Sequence, residues 1–268
     1  MNRNNDHAFS RAMRGFTMVE MAVVLVVIGV ILGAIMIGRD GQRNAEYLRI
    51  RQTFVNQWAV AYNSYVQRTG VPIGDNAQAP RLMVNGRNFS GTGGGNLAGV
   101  TPPAAICEGE RAPGMARDRQ EGVSLRTLIL QAGIELPQGR GVGMEDRYVY
   151  LDSNGNPQEL QVCFQWNPPG TTSGTGNVMV ITGLTPDLAQ SLASAIKGNA
   201  DASSGSFRQE SVATGAGGAS LAWTADNTQA FGSGAAPASG SGASEGQTTA
   251  SNREAQVQTV VAHFKMNQ

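Results

Sequence analysis

The sequence predicts an α+β protein in which a long N-terminal helix packs on a mainly antiparallel β-sheet head. Residues 16–38 are apolar and residues 42–68 keep large apolar side chains at helical spacing, so one helix can continue from the first segment into the second. Residues 147–166 contain two β-rich runs around an Asn-Gly turn, and residues 257–266 form another β-rich run near the end of the chain. These three observations give the fold class.

The apolar segment 16–38 contains one charged residue, Glu20. As a helix, it would span about 34 Å at a rise of about 1.5 Å per residue, which is enough to cross a bilayer core. An acid at the centre of a membrane helix costs about 2.5 to 3.5 kcal/mol on insertion scales, and Glu20, which lies near one end, would have a smaller cost that still needs a reason. Glu20 therefore indicates a function, although a simple anchor whose Glu20 reaches the lipid interface is the alternative.

The pattern of residues 39–68 predicts an amphipathic continuation of this helix. Its aromatic side chains recur at a spacing near 3.6, with three aliphatic residues beside them: Tyr47, Phe54, Trp58, Tyr62 and Tyr65, then Leu48, Val55 and Val66. We expect this stripe to be the face on which the head packs. Gly70 and Pro72 are expected to end the helix.

Two short helices are predicted in the head. Ser124 caps the first, which Gly133 closes. Thr185 caps the second, with Pro186 at its first position and Gly198 as its stop.

The strands of the head are predicted from their turns and apolar runs. The runs within 147–166 flank residues 153–156, whose Asn-Gly pair accepts the positive φ of a hairpin turn. Residues 177–183 and 257–266 read as further strands. Between them, residues 199–252 are rich in Ala, Gly, Ser and Thr. We expect that segment to be mobile, especially from 232 to 252.

The six residues GFTMVE at 15–20 follow a short basic segment and open the apolar run. This pattern resembles the class III leader of type IV prepilins and pseudopilins, over roughly residues 10–38. The resemblance implies that a membrane peptidase cleaves after Gly15 and methylates the new amino terminus, Phe16. It also implies that Glu20 meets the N-terminal ammonium of a neighbouring subunit during filament assembly.

The resemblance implies a structural subunit that assembles through its N-terminal helix into a type IV pilus. Minor pilins, type II secretion pseudopilins and membrane-anchored adhesin or DNA-uptake modules remain alternatives. The expected partners are the prepilin peptidase/methyltransferase, other pilin subunits, the inner membrane and the pilus assembly platform. We expect a single-pass inner-membrane protein with a periplasmic head, later part of a cell-surface or periplasmic filament.

This interpretation divides the chain into six regions. They are a leader (1–15), a transmembrane or filament-core helix (16–38), its amphipathic continuation (39–68), a head (69–198), a mobile excursion (199–252) and a C-terminal strand (253–268).

Gly29 and Gly33 form a small-xxx-small pattern that allows close helix packing. The alternative is that glycine is simply frequent in membrane helices. Many type IV pilins carry a proline some 21 residues after the mature start, where this chain has Ile37.

The two cysteines, Cys107 and Cys163, both follow the apolar segment. An even pair in an oxidising compartment suggests one disulfide, which supports an exported head. Two reduced, buried thiols are the alternative.

The sequence offers little for catalysis, and we expect no enzyme and no cofactor. Of the two histidines, His7 lies in the leader, so only His263 remains, with an expected structural or surface role. Neither a nucleophile elbow nor a Walker A motif appears in the sequence.

The sequence also offers little for ion or nucleic-acid binding. Residues 152–156 could suit calcium by their spaced oxygens, but they lack the EF-hand pattern and a hairpin turn explains them, so no metal is expected. With 20 basic and 20 acidic residues, the formal net charge is zero and does not favour a nucleic-acid partner.

Overall fold

The computed structural model describes residues 17–91, 97, 99–108, 124–153, 155–210, 212, 220–225 and 259–266. The chain divides into two compact units, Met1–Ala45 and Glu46–Gln268. The expected leader and the cleavage and methylation sites, Gly15 and Phe16, lie outside the described residues.

Helix α1 runs over Met18–Ile50, and α2 over Asn56–Thr69. A π-helical turn, Arg51–Val55, joins them, which the sequence did not predict. It adds a residue to one turn without breaking the helical path, so the hydrophobic period gives little sign of it. Gly70 ends α2 as expected, since its φ of 76° is left-handed and its N–H donates to the Val66 carbonyl at 2.8 Å.

The sheet has five strands in the order β1-β2-β3-β5-β4, and every pairing is antiparallel. The strands are β1 Arg147–Leu151, β2 Pro157–Asn167, β3 Gly176–Leu184, β4 Phe207–Gln209 and β5 Val260–Lys265. The predicted hairpin, third strand and last strand are therefore present, and the α+β arrangement is confirmed. The last strand lies inside the sheet, between β3 and β4.

Both predicted short helices are present with their predicted caps: α3 is Leu125–Gln131 and α4 is Pro186–Lys197. The Ser124 hydroxyl accepts from the backbone N–H of Thr127 at 3.1 Å. The Thr185 hydroxyl accepts from the backbone N–H of Leu188 at 3.4 Å.

The aromatic stripe is the face of the helix that the sheet covers. All five aromatic side chains are buried, and the Tyr62 ring stacks on Phe164 of β2 with centroids 5.1 Å apart. The indole N–H of Trp58 donates to the Glu145 carbonyl oxygen at 3.2 Å. The expectation for Leu48 was wrong, because its side chain is 50% exposed.

Residues 199–210 and 220–225, from the segment that the sequence predicts to be a mobile excursion, are packed in the head. They contribute β4, and the buried Phe207 and Trp223 rings lie 5.3 Å apart. The buried Asp201 carboxylate accepts from the backbone N–H of Leu221 at 2.8 Å, which ties 220–225 to 200–209. Residues 226–252, including the stretch expected to be most mobile, lie outside the described part of the chain.

A disulfide joins Cys107 to Cys163, whose Cα atoms are 4.6 Å apart. Cys163 lies in β2, and the neighbouring residues Ile106 and Phe164 form an antiparallel bridge with backbone bonds of 2.8 and 2.9 Å. The cross-link therefore fastens the segment before α3 to β2, the second strand of the sheet.

Candidate functional site

The N-terminus of α1 carries a capping box. The backbone N–H of Glu20 donates to the Thr17 hydroxyl at 3.2 Å, and the backbone N–H of Thr17 donates to Glu20 Oε2 at 3.4 Å. The Thr17 hydroxyl also lies 3.5 Å from the same carboxylate oxygen. Thr17 is thus the N-cap and Glu20 the third helical residue, each satisfying a backbone N–H that the helix leaves without a partner.

Sequence reasoning assigned Glu20 only an intersubunit role and missed this local one. The signal was present in the chain, since a Thr followed three residues later by a Glu, just ahead of an apolar run, is the pattern of a capping box. Both bonds from Thr17 reach one carboxylate oxygen of an exposed side chain, and both are long. Within the described residues, the other oxygen, Oε1, accepts no hydrogen bond, so the carboxylate has capacity for a further donor.

The apolar part of α1 exposes its side chains on every face. Within the described part of the chain, one helical stretch, Met18–Ile35, is long and apolar enough by length and composition to cross a membrane, and none of it is buried. Exposed side chains lie all round it, including Val23, Leu25, Ile28 and Leu32. A helix that is apolar all round needs lipid or other helices as neighbours.

Gly29 and Gly33 lie in the middle of this stretch, and no heavy atom outside their own helical turns lies within 4 Å of a Cβ placed on either. Their surface is therefore open to a second helix, and whether one packs there stays a prediction. The helix runs through Ile37, where many type IV pilins carry a proline, without interruption.

The turn at 152–156 is held by its own hydrogen bonds. Asp152 Oδ1 accepts from the backbone N–H of Asn156 at 2.8 Å, and Oδ2 from Gln158 Nε2 at 3.2 Å. Asn154, part of the calcium hypothesis, lies outside the described residues. In the ranges that the structure does describe, no group of three or more His, Cys, Asp or Glu side chains could hold a metal ion.

His263 of β5 is buried and has a role that the sequence did not reveal. Asn167 Nδ2 lies 3.1 Å from its Nδ1. The Ser173 hydroxyl is 2.6 Å from the same Nδ1, and Glu210 Oε1 is 3.7 Å from Nε2.

This cluster contains the residue types of a Ser-His-acid triad, but its contacts favour structure over chemistry. Ser173 is only 5% exposed, and Nδ1 already faces the amide of Asn167. Asn167 also donates to the Gly174 carbonyl at 2.9 Å. The cluster thus fastens the loop between β2 and β3 to β5.

Comparison with known proteins gives a family match at the N-terminus. Residues 10–36 match the family described as the prokaryotic N-terminal methylation motif. No curated protein and no solved structure matches the chain. The match covers GFTMVE and most of the apolar helix, so the chain carries a type IV pilin- or pseudopilin-like prepilin leader. Such leaders mark structural subunits rather than enzymes, and imply processing by a prepilin peptidase and assembly with other pilins.

Proposed function

We propose that this chain is a structural subunit that is cleaved after Gly15, methylated at Phe16 and assembled through its N-terminal helix into a type IV pilus. The observation that carries the proposal is the methylation motif at 10–36, which contains the exposed apolar helical stretch Met18–Ile35. The motif supplies a cleavage site, and the helix supplies a surface that needs neighbours in lipid or in a fibre.

An ion pair between Glu20 and a neighbouring subunit would make assembly electrostatically favourable. A carboxylate without a partner in a medium of low dielectric constant is costly, whereas one paired with an ammonium recovers much of that cost. Within the described residues, the carboxylate of Glu20 receives two hydrogen bonds, and both are long and come from Thr17. In a fibre, the new amino terminus of a neighbouring Phe16 would bond to it and set the axial register between subunits.

The head and its location follow from the same scheme. One N-terminal apolar helix is consistent with a single-pass membrane anchor. The disulfide between Cys107 and Cys163 favours an oxidising compartment, so we place the head in the periplasm before assembly and on the filament surface afterwards. In this scheme residues 16–38 form the filament core and 39–68 connect it to the head.

Mass spectrometry of the N-terminus tests the proposal. Protein purified from cells with the prepilin peptidase should begin at Phe16 and carry one added methyl group, while cells lacking the peptidase should yield the chain from Met1. Gly15→Ala should remain uncleaved in both strains, and Gly29→Ala is the matched control, because it changes a glycine beyond the cleavage site. An intact Met1 in the peptidase strain, or cleavage at another bond, would overturn the proposal.

A further inference from the structure

The loop between β2 and β3 forms a pocket of about 350 Å³ together with β4 and β5. Residues 170–175 supply one wall, and among the described residues Arg208 and Lys265 are the charged side chains of the lining. The rest of the lining is glycine, threonine, serine and Val178. No carboxylate from the described part of the chain lines the pocket, so this lining carries positive charge although the formal charge of the whole chain is zero.

The two cations differ from three arginines of the head that lie in ion pairs with carboxylates. Arg126 is ion-paired with Glu145, and Arg140 and Arg147 share Glu159 at 2.6 and 3.0 Å. Within the described residues, neither pocket cation is within ion-pair distance of a carboxylate. Arg208 Nε donates to the Gly205 carbonyl at 2.8 Å, which orients the guanidinium and leaves its other N–H groups for a ligand.

The guanidinium of Arg208 lies next to the loop between β2 and β3. The Arg208 guanidinium lies 3.6 Å from where a Cβ on Gly174 would be, so the glycine leaves room for it to approach the loop backbone. A third cation, Lys197, is close by and donates to the carbonyl oxygens of Asp201 and Ser204. Burial lowers the pKa of Lys197, and the charge of Arg208 adds to this effect while Asp201 opposes it.

The loop that faces these cations is held in place before any ligand arrives. The Thr171 hydroxyl donates to the Pro168 carbonyl at 2.8 Å, and the Gly174 N–H donates to the Thr171 carbonyl at 3.0 Å. Ser173 is fixed to the buried His263 at 2.6 Å. The loop is therefore a preorganised wall, which reduces the entropy cost of binding.

We propose that this pocket binds a phosphate group, either as inorganic phosphate or as the monoester of a sugar. A guanidinium offers two parallel N–H donors that match phosphate oxygens, and a lysine ammonium adds a point charge. The exposed hydroxyls of Thr172 and Thr175 line the same pocket and can donate to the remaining oxygens. The volume lies within the range of small-molecule sites and exceeds what one phosphate group fills, so part of a sugar can enter with it.

Isothermal titration calorimetry on the full chain in a non-ionic detergent tests this site. Inorganic phosphate, glucose 6-phosphate and glucose are titrated separately at low, fixed ionic strength. We expect saturable binding of the two phosphates and none of glucose. The variant Arg208→Gln/Lys265→Gln should weaken binding at least tenfold, and Lys265→Gln alone, at an exposed strand end, about threefold, because each removes a charge-assisted bond.

Arg49→Gln is the matched control, because it also removes one exposed arginine but lies on α1 and not in the pocket. It should bind both phosphates with the affinity of the unchanged protein. Equal affinity for the two phosphates supports a site for the phosphate group itself, and tighter binding of glucose 6-phosphate supports a phosphosugar site.

Three results would overturn the assignment. They are no saturable binding of either phosphate, unchanged affinity in the double variant while circular dichroism shows it to be folded, or an equal loss in Arg49→Gln. The outcome is independent of leader cleavage and fibre assembly, so it can fail while the proposed function stands.

Discussion

Substitutions at Thr17 and Glu20 separate two explanations for an acid in an apolar segment. The capping box uses Glu20 locally, whereas the proposed fibre uses its charge between subunits. Glu20→Gln keeps an acceptor at the third helical position, where capping boxes accept Glu or Gln, but removes the charge. Thr17→Ala removes the N-cap hydroxyl and keeps the charge. Glu20→Ala removes both the hydrogen-bond acceptor and the charge at position 20.

The two explanations predict effects of different size. Loss of an N-cap hydroxyl costs about 1 kcal/mol, and the cap bonds here are long and exposed, so Thr17→Ala should reduce assembly by no more than about tenfold. Breaking a buried ion pair by removing one partner costs about 3 to 5 kcal/mol, which corresponds to at least about a hundredfold change in an equilibrium constant. Glu20→Gln should therefore be nearly as defective as Glu20→Ala.

The assay is the yield of sheared fibres per cell, normalised to membrane-inserted subunit and to N-terminal processing measured by mass spectrometry. Thr17→Ser is the matched control, because serine preserves the capping hydroxyl. We expect membrane insertion to be unchanged or improved in Glu20→Ala and Glu20→Gln, with fibres nearly absent. If Glu20→Gln assembled normally while Thr17→Ala did not, the capping box would be the whole reason for Glu20 and the pairing hypothesis would be wrong.

The remaining predictions concern the head, and urea unfolding of the full chain in detergent measures all three. The double variant Cys107→Ser/Cys163→Ser opens a loop whose ends are 56 residues apart. It should lower the free energy of unfolding by about 4 kcal/mol and leave leader processing unchanged. If the variant and the unchanged protein were equally stable under oxidising conditions, this prediction would be wrong. Phe164→Ala removes the ring that stacks on Tyr62 and should cost about 3 to 5 kcal/mol, and a loss below about 1 kcal/mol would show that the stripe is not the centre of the core. Burial raises the pKa of Asp146 in the folded state. At a pH between about 3.9, the ordinary value, and this raised pKa, the native carboxyl keeps a proton that the unfolded chain releases. The contribution of Asp146 to the free energy of unfolding is therefore full below about 3.9 and is lost as the pH rises through the folded pKa. Asp146→Asn should flatten that dependence and be at least as stable at pH 7, and an unchanged pH profile would refute the assignment.

The elements that the sequence predicted have local signals. Ser124, Thr185 and Gly198 fix helix ends through contacts within a few residues, and the Asn-Gly turn specifies its own hairpin. Strand β4 has no such signal, because it has only three residues in a segment poor in large apolar side chains. Its burial comes from Trp223 and from the neighbouring strand β5, which are distant along the chain.

The candidate sites also divide into those with local sequence signals and those formed by residues distant along the chain. The motif around Glu20 is local and could be predicted, while the cluster at His263 could not, since Ser173 and His263 are 90 residues apart. The pocket cations Arg208 and Lys265 come from two strands that only the sheet order brings together, and one of those strands was not predicted. Composition alone gave a neutral chain, which concealed a local excess of positive charge.

The exposed apolar helix and its one acid together favour assembly over simple anchoring. Met18–Ile35 buries none of its side chains within the chain, and such a surface is stable only in lipid or against other helices. Lipid solvates the apolar side chains, but a charged Glu20 in lipid still costs free energy. The hydrogen bonds from Thr17 offset little of this cost, because they are long and involve one of the two carboxylate oxygens. A bundle of identical helices satisfies both, since the apolar faces pack together and each new amino terminus can bond to a neighbouring Glu20. Under the proposed function, the lone subunit in the membrane is therefore expected to be less stable than the subunit in a fibre, and this difference in free energy would favour incorporation.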